Sequence, residues 1–576
     1  MSVLAIDYET YYSEEYSMSI MDNLSYVNDS RFNAYVVSVF DKNISKSCHP
    51  KDLDWENISR STWVSHNMSF DRAVHMRLIE LGEIPCVIPD KWYCSLDLCA
   101  FMGYPSSLKD ACKHVLGLEV DKSIRSDMKG FKPGSTFPFY LEQIYAYASR
   151  DAELCYLLWE KLEANWPNEE RDLSIQTSMI GERGVFIDQE ELETQRDDLE
   201  LSIYNLKKSI PWRDRSPLFS DMECKNYCIN KRVPIPETTD KNSKQFKKWA
   251  DEYADKAPAL LLLGKLRSEN KKFKLIKTIE GRLKNDSTAS YCMKYCGTHT
   301  GRWTCYKKFN VLTLDKEGAR KMISSKPGRV LSIYDYAQIE PRVLAWILKD
   351  DVFLGYIRKG IDPYETYARI NLGYDDDRPL KAVNPKLRNL CKAIVIGLCY
   401  GISYNTFKKT CSDMYGVDIS LEESKEIVFN YRRDNPKTVT FWRNLDRSIA
   451  NSYADKKDLT LKLPSGRCLY YRDIGKCPKG GKGYTAKVQG RTTFIWGSKI
   501  CENVVQAAAR DVMASGLLRL KDYLVRFHCH DEVILEVDEN DPEVNDRIKG
   551  ILKDPPHWCP DLPLDVEMIQ SKHYTK

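Results

Sequence analysis

Residues 329–348 read RVLSIYDYAQIEPRVLAWIL, and much of the architecture of the second half of the chain follows from this stretch. Its first six residues are mostly apolar and predict a buried strand that delivers Asp335 at its end. A helix rich in apolar residues is predicted from about Ile339 to Leu348. A carboxylate on a strand end is rigidly held, which suits a metal ligand. Asp335 is therefore a candidate functional residue.

A second acid of this kind lies near the C-terminus. Asp531 stands in the run HCHDE, residues 528–532, between the strand-like runs Val525–Phe527 and Val533–Val537. Two strand-like runs around a short polar turn predict a hairpin with Asp531 near its tip. Glu532 follows it directly and is a further candidate.

Residues 384–401, NPKLRNLCKAIVIGLCYG, predict a helix between the two acids. Asn384 is a suitable N-cap, Pro385 suits the first helical position, and Gly401 is suited to ending the helix. One stripe on this helix repeats every fourth residue. Its members are Arg388, Lys392, Ile396 and Tyr400. Two cations followed by an aromatic residue suit a triphosphate with a nucleobase beyond it; a basic face beside a core stripe is the alternative.

The N-terminal 165 residues alternate short apolar strands with helical stretches, which predicts an α/β unit. Asp7 and Glu9 follow the strand Val3–Ile6 and project to the same face, so they can share a metal ion. Asp71 is predicted in the first turn of the helix 69–81, and Asp151 near the start of the helix 147–162. Four carboxylates can bind two divalent cations that act on a phosphodiester. Tyr147 lies one helical turn before Asp151, so its hydroxyl is placed to orient the attacking water. For each acid alone, a surface position or a helix cap is the alternative.

Length and composition exclude several other classes of protein. A chain of 576 residues is expected to form two or more domains, and Trp166 to Glu170 is the best candidate boundary. The net charge of +4 does not by itself indicate a nucleic-acid partner. The 19 cysteines contain no C-x-x-C pair, so buried free thiols are favoured over a zinc site. No segment suits a membrane span and the start does not resemble a signal peptide, so we expect a soluble cytoplasmic protein.

The run from Gly264 to Lys284 holds eight Lys or Arg against two Glu. A solvated helix face and a surface that follows nucleic-acid phosphates have the same composition, so both remain open. The candidate phosphate contacts are Lys271, Lys272 and Lys274.

The N-terminal acids resemble the motifs of the DEDD exonuclease superfamily, tyrosine variant, over most of residues 1–165. This resemblance implies a ribonuclease H-like α/β domain that hydrolyses a nucleic-acid strand from its 3′ end. It also implies metal binding by Asp7, Glu9, Asp71 and Asp151, with Tyr147 as a further catalytic residue.

The later motifs resemble motifs A, B and C of family A DNA polymerases, the bacterial DNA polymerase I type. They are Asp335–Arg342, Arg388–Gly401 and His530–Glu532. Smaller matches, most like the compact bacteriophage members, are Thr300–Arg302, Asp362–Tyr364, Leu463–Arg467 and Gln506–Asp511. The resemblance implies an α+β right hand behind a proofreading domain. The implied ranges are exonuclease 1–165 and polymerase 166–576, with the thumb at about 190–290, the palm at about 291–350 and 471–576, and the fingers at about 351–470.

Family resemblance also implies roles for individual residues. Asp335 and Asp531, with Glu532 beside them, would bind two Mg²⁺ ions, with Mn²⁺ as a substitute. The implied nucleotide-binding residues are Arg388, Lys392, Ile396, Tyr400, Glu340, Gln338 and Tyr364. The implied DNA contacts are Arg302, Gln506, His530 and the three lysines of the basic run. The implied partners are primer–template DNA and dNTPs. A replisome helicase or single-strand-binding protein is not readable from the sequence.

Three departures and two alternatives qualify this resemblance. Ile396 stands where the family usually has Phe or Tyr, Pro341 stands where a helix former is usual, and the chain starts at the exonuclease motifs without room for a 5′ nuclease. Single-subunit RNA polymerases share the palm acids, but Glu340 argues for DNA synthesis because it would block a ribose 2′-hydroxyl. The other alternative is an exonuclease with a DNA-binding C-terminal region. Some phage members copy genomes that carry 2-aminoadenine, and the sequence leaves this capacity open.

Overall fold

A computed structural model describes residues 2–131, 138–213, 218–239, 243–316, 318–477 and 483–575. The predicted domain ranges include the intervening positions, which lie outside the described residues. All 19 cysteines have free thiols. No helix in the described part of the chain combines the length and apolarity needed to cross a bilayer.

The N-terminal part is an α/β unit built on a mixed five-stranded sheet. Strand Val3–Thr10 is central, with Ala34–Phe40 antiparallel on one side and Thr62–Ser65 parallel on the other. The prediction ended this strand at Ile6, but its antiparallel pairing continues to Thr10, so Asp7 and Glu9 lie inside the strand. The other strands are Ser45–Cys48 and Trp92–Cys94, and the shorter helices are Asn23–Val27, Trp55–Ile58, Ser95–Phe101, Leu108–Val115 and Ile124–Asp127.

Two longer helices of this unit carry the remaining acids. Helix Met68–Glu80 has Asp71 in its first turn, as predicted. Helix Pro138–Leu162 packs across the central strands and begins well before the predicted start at Tyr147. Asp151 therefore lies in the middle of its helix and not near the start.

The predicted domain boundary at Trp166 is buried between the two parts of the chain. The Trp166 ring packs against Tyr93 and Trp159 on one side and against Tyr295 on the other. Helix Asn168–Arg183 then contacts both the N-terminal sheet and the C-terminal part of the chain. The two parts consequently share one hydrophobic core across the boundary.

Two long helices, Gln189–Lys208 and Pro258–Glu280, pack against each other in the predicted thumb. The basic run lies mainly on the second of them. The shorter helices here are Asp221–Lys231 and Lys244–Tyr253. Small sheets follow, formed by Val185–Ile187, Thr288–Ala289 and Ile323–Ser324, and by Cys292–Lys294 and Thr304–Tyr306.

The predicted palm is a four-stranded antiparallel sheet. Strand Arg329–Tyr336 lies between Glu532–Asp538 and Val566–Ser571, and Val525–Cys529 forms the edge beyond Glu532–Asp538. The prediction ended the first strand at Tyr334, but ladder pairing extends it through Asp335 to Tyr336. The associated helices are Ile339–Ile347, Gly497–Arg519 and Val544–Lys553.

The predicted fingers are helical and end in a second four-stranded sheet. The helices are Asp351–Arg358, Pro363–Asn371, Leu380–Val383, Pro385–Gly397, Tyr404–Tyr415, Leu421–Asp434 and Pro436–Ala454. The strands are Leu459–Lys462, Cys468–Lys476, Tyr484–Val488 and Arg491–Ile495. The predicted fingers–palm boundary at 470/471 falls inside one of these strands. Hydrogen bonds join this strand, Cys468–Lys476, to its neighbours on both sides of the predicted boundary.

Candidate active site

The two palm acids meet where a strand passes the tip of a hairpin. Asp335 pairs in register with Glu532, and the backbone N–H of Tyr336 donates a 3.0 Å hydrogen bond to the backbone carbonyl of Asp531. The turn is made by His530, whose φ of 54° is left-handed. Burial, then the negative charge of Asp335, raises the pKa of Asp531 to about 6. Two like charges held this close favour a bound cation.

Glu532 is held by a residue from the C-terminus. Its Oε2 accepts a 2.9 Å hydrogen bond from the hydroxyl of Tyr574. The palm therefore offers carboxylate oxygens, the ligand type that Mg²⁺ and Mn²⁺ prefer.

The residues predicted to contact phosphate lie close to a buried aromatic ring. Asp362 caps helix Pro363–Asn371 and lies 3.3 Å from the guanidinium of Arg388. Arg388 and Lys392 lie 5.1 and 5.9 Å from the ring centroid of Tyr364, which is buried. Nε of Arg388 is buried and has no hydrogen-bond partner. These side chains thus present two cations and one unused donor, which suits an anionic ligand.

The end of the predicted stripe differs from a continuous α-helix. The α-helix ends at Gly397, a 3₁₀ turn covers Leu398–Tyr400, and Gly401 is left-handed with a φ of 71°. Ile396 is half-buried one turn after Lys392.

Glu340 brings together residues from three separate segments. Its Oε2 accepts a 2.8 Å hydrogen bond from the Tyr400 hydroxyl, and its Oε1 pairs with the Arg302 guanidinium. Gln338 precedes the helix Ile339–Ile347, which carries Glu340, and has a left-handed conformation with a φ of 45°. Pro341 is the third helical residue, where no intrahelical N–H bond is lost.

A cavity of about 390 Å³ adjoins this group and includes the predicted DNA contacts Arg302, Gln506 and His530 in its lining. Gln506 donates a 3.2 Å hydrogen bond to Glu502 one turn earlier. The lysines of the basic run do not line this cavity. Lys271, Lys272 and Lys274 are exposed on the thumb helix, and Lys272 lies 3.3 Å from Asp315.

The N-terminal acids form a second cluster. Oxygens of Asp7, Glu9 and Asp151 all lie within 4.8 Å of one another. Oδ2 of Asp7 is buried and has no hydrogen-bond partner, and burial, then Asp151, raises the pKa of Glu9 to about 7. Asp71 is outside this group of three, and its Oδ1 accepts a 3.2 Å hydrogen bond from the N–H of Tyr8. The negative charge of Asp71 still contributes to raising the pKa of Asp7, after burial and Glu9. The orphaned oxygen and the three converging carboxylates fit a divalent cation.

Lys122 is a residue of this cluster that the sequence did not indicate. Its Nζ lies 2.6 and 2.5 Å from the two carboxylate oxygens of Asp151, and it donates a 3.0 Å hydrogen bond to the Tyr147 hydroxyl. The residue precedes the short helix Ile124–Asp127 and belongs to no motif. Only its position in the fold reveals it.

Two family models match the chain. One, described as DNA polymerase family A, covers residues 190–576, and the other, described as 3′–5′ exonuclease, covers residues 55–166. The chain belongs to DNA polymerase family A. All predicted palm and fingers residues of this family A chain lie in the first match. Asp71, Tyr147 and Asp151 lie in the second, whereas Asp7 and Glu9 precede it.

Relatives of the family A chain include phage and bacterial enzymes. It is 27% identical to the DNA polymerase of Bacillus phage SP02, over 43% of this chain and 42% of that one. It is 24% identical to DNA polymerase I of Aquifex aeolicus, over 60% of this chain and 56% of that one. The matches thus span about half the length of these relatives. The fold is that of the POL domain of Pol1 from M. smegmatis, solved with DNA primer–template and dNTP, with a TM-score of 0.69 and 15% identity over 99% of this chain and 95% of that one.

Proposed function

We propose that this chain extends the 3′ end of a DNA primer with dNTPs along a template strand and proofreads with a 3′–5′ exonuclease. The observation that carries the proposal is the pairing of Asp335 with the Asp531 hairpin in a chain of family A. We place this activity in the cytoplasm, with primer–template DNA and dNTPs as partners.

The palm acids would hold two Mg²⁺ ions, for which Mn²⁺ would substitute. When bound, these ions lower the pKa of the primer 3′-hydroxyl and neutralise charge on the triphosphate. Arg388 and Lys392 bind the phosphates, and the unused Nε of Arg388 supplies a donor that Asp362 does not occupy. The aromatic ring of Tyr364 lies against the side chains of Arg388 and Lys392 and supports both of them.

Glu340 and its partners act on the sugar and the base pair. The carboxylate of Glu340 excludes a ribose 2′-hydroxyl, while Tyr400 closes the pocket beside the templating base. Arg302 and Gln506 contact the minor-groove acceptors that every correct pair presents, so they test pair shape without reading sequence. This arrangement favours DNA synthesis over the RNA polymerase alternative.

The N-terminal cluster removes a mispaired 3′ end. Asp7, Glu9, Asp71 and Asp151 would hold two divalent cations, which when bound would activate water and stabilise the leaving oxygen. The hydroxyl of Tyr147 orients the attacking water, and Lys122 holds both Tyr147 and Asp151 in place.

A primer-extension assay tests the proposal. The purified chain is given a labelled primer–template with dNTPs or with NTPs, in the presence and absence of Mg²⁺. We expect extension with dNTPs only, and only with the metal. Extension with NTPs at a comparable rate would support an RNA polymerase. Degradation from the 3′ end without any extension would support an exonuclease with a DNA-binding C-terminal region.

A further inference from the structure

A buried cluster of two arginines and two acids lies beneath the loop that carries Arg302. The side chain of Arg510 is fully buried, and those of Arg467, Asp511 and Glu170 are 5%, 4% and 13% exposed. The four charges balance, so the cluster has no net charge. We call these four residues the loop anchor.

The anchor holds the two backbone carbonyls immediately before Arg302. Nε of Arg510 donates a 2.9 Å hydrogen bond to the carbonyl of Gly301, and Nη2 of Arg467 donates a 2.9 Å hydrogen bond to the carbonyl of Thr300. Gly301 has a φ of 85°, and a Cβ there would lie 2.7 Å from the Arg467 guanidinium. The backbone of the loop therefore packs directly against the side chains of the two arginines.

The acids fix the arginines in turn. Asp511 lies 2.8 Å from Arg467 Nε and 3.3 Å from Arg510 Nη1. Glu170 pairs with Arg510 through two contacts of 2.5 and 3.0 Å, and Tyr295 donates a hydrogen bond of 2.5 Å to the same carboxylate. Glu170 belongs to neither matched family range, because it lies between residue 166 and residue 190.

We propose that Glu170 and Arg510 are positioning residues that aim Arg302 at the minor groove of the primer terminus; this rests on the proposed polymerase function. A buried ion pair adds little net stability, but it allows few alternative arrangements. Glu170 orients the guanidinium of Arg510. Nε of that guanidinium fixes the Gly301 carbonyl, and the next residue in the chain is Arg302. Loosening Glu170 therefore shifts the backbone that carries Arg302 and changes the aim of its guanidinium, which also pairs with Glu340, without removing that guanidinium.

The experiment measures a minor-groove contact directly. Primers ending in guanine or in 3-deazaguanine, which lacks the N3 minor-groove acceptor, are extended by one dNTP, and the ratio of the two kcat/KM values is the deaza penalty. We expect a penalty of about tenfold for the wild type, because one charge-assisted hydrogen bond is lost. Arg302→Ala should show no penalty. Glu170→Gln should reduce the penalty to about threefold or less, because the donor is present but misdirected.

Two further variants separate positioning from folding. Glu536→Gln is the matched control, since Glu536 forms another buried ion pair, with Arg526 2.5 Å away, inside the four-stranded sheet. It should keep the wild-type penalty. Tyr295→Phe is nearly isosteric and removes the hydroxyl that donates a hydrogen bond to the Glu170 carboxylate. It should lower the penalty even if Glu170→Gln folds poorly.

Some outcomes overturn the inference. If folded Tyr295→Phe and Glu170→Gln both keep the wild-type penalty, or if Glu536→Gln loses it equally, the anchor does not aim Arg302. A wild type that extends both primers equally well overturns the role of Arg302 and this inference, but not the polymerase function. A wild type that extends neither primer overturns the proposed function itself.

Discussion

The hydroxyl of Tyr400 donates a 2.8 Å hydrogen bond to Oε2 of Glu340, joining the 3₁₀ turn after helix Pro385–Gly397 to the first turn of helix Ile339–Ile347. The other carboxylate oxygen pairs with Arg302. With both oxygens engaged, the carboxylate has one defined position. A group that excludes a 2′-hydroxyl by its bulk and charge needs such a position.

Tyr400→Phe should weaken discrimination against ribonucleotides. The variant frees one oxygen of Glu340 to move, and a hydrogen bond to a charged group contributes about 1.5–3 kcal/mol. If about half of that is lost as sugar selectivity, the NTP to dNTP ratio of kcat/KM rises by roughly three- to tenfold. Tyr404→Phe, at an exposed fingers position, is the matched control. An unchanged ratio in Tyr400→Phe would contradict the role assigned to Glu340, the exclusion of a ribose 2′-hydroxyl.

Asp335→Ala or Asp531→Ala should abolish primer extension and leave exonuclease activity nearly intact, because the two carboxylate clusters are formed by different parts of the chain. Loss of a metal ligand costs several kcal/mol of transition-state stabilisation, a rate loss of roughly a thousandfold or more. Both activities are measured on one labelled primer–template. Extension within tenfold of the wild type would show that the palm assignment is wrong.

The double substitution Asp7→Ala with Glu9→Ala should eliminate 3′ end degradation and raise misincorporation. These acids belong to the cluster with Asp151, and polymerisation uses neither. Degradation of a single-stranded 3′ end is the readout, and extension of a matched primer is the internal control. Degradation at the wild-type rate would refute the proofreading assignment.

Ile396→Tyr should raise the use of dideoxynucleotides by at least ~10-fold, about 1.4 kcal/mol in differential transition-state binding. A tyrosine presents a flat ring and a hydroxyl to the sugar, whereas isoleucine is shorter and branched. We also expect the wild type to reject ribonucleotides less strongly than relatives with an aromatic residue here. Incorporation of dNTP, ddNTP and NTP is compared under one set of conditions. An unchanged ddNTP ratio would mean that Ile396 does not face the sugar.

Asp97 should make the stability of the protein depend on pH. Burial raises its pKa from an ordinary value of 3.8 to about 7, although Ser174 donates a 2.6 Å hydrogen bond to it. A carboxyl with a raised pKa in the folded state favours folding below pH 4 and loses this contribution as the pH rises through 7. Asp97→Asn should therefore stabilise the protein by roughly 1–2 kcal/mol at pH 8, less than the full shift because part of the side chain is solvated.

Thermal unfolding at pH 5 and pH 8 measures this effect. The gain from Asp97→Asn should be larger at pH 8, whereas Asp90→Asn, at an exposed position, should show no such difference. An equal gain at both pH values would contradict a raised pKa for Asp97.

Much of both sites is readable from local pattern. The apolar runs on either side of Asp335 and Asp531 define a strand and a hairpin, and each places its acid by geometry that neighbouring residues impose. The spacing of Arg388 and Lys392 follows equally from the helical repeat. Capping by Asn384 depends on local backbone preference and is observed, whereas the α-helix already ends at Gly397 and Gly401 ends the 3₁₀ turn that follows it.

Strand ends and helix starts are less readable, because tertiary pairing extends them. Val3–Thr10 continues past Ile6 since its neighbour supplies hydrogen bonds as far as Thr10. The helix that carries Asp151 begins at Pro138 and packs across four of the five strands of the sheet.

The partners of charged side chains could be known only from the tertiary structure. Glu170 and Arg510 are 340 residues apart, and Lys122 precedes Asp151 by 29. A chain with 86 basic and 82 acidic residues offers many possible pairs. Periodicity reports which face of an element is buried, but it carries no information about which distant element covers that face. Ion pairs between segments that are distant in the sequence form where packing brings the charges together out of water, so only the folded chain selects them.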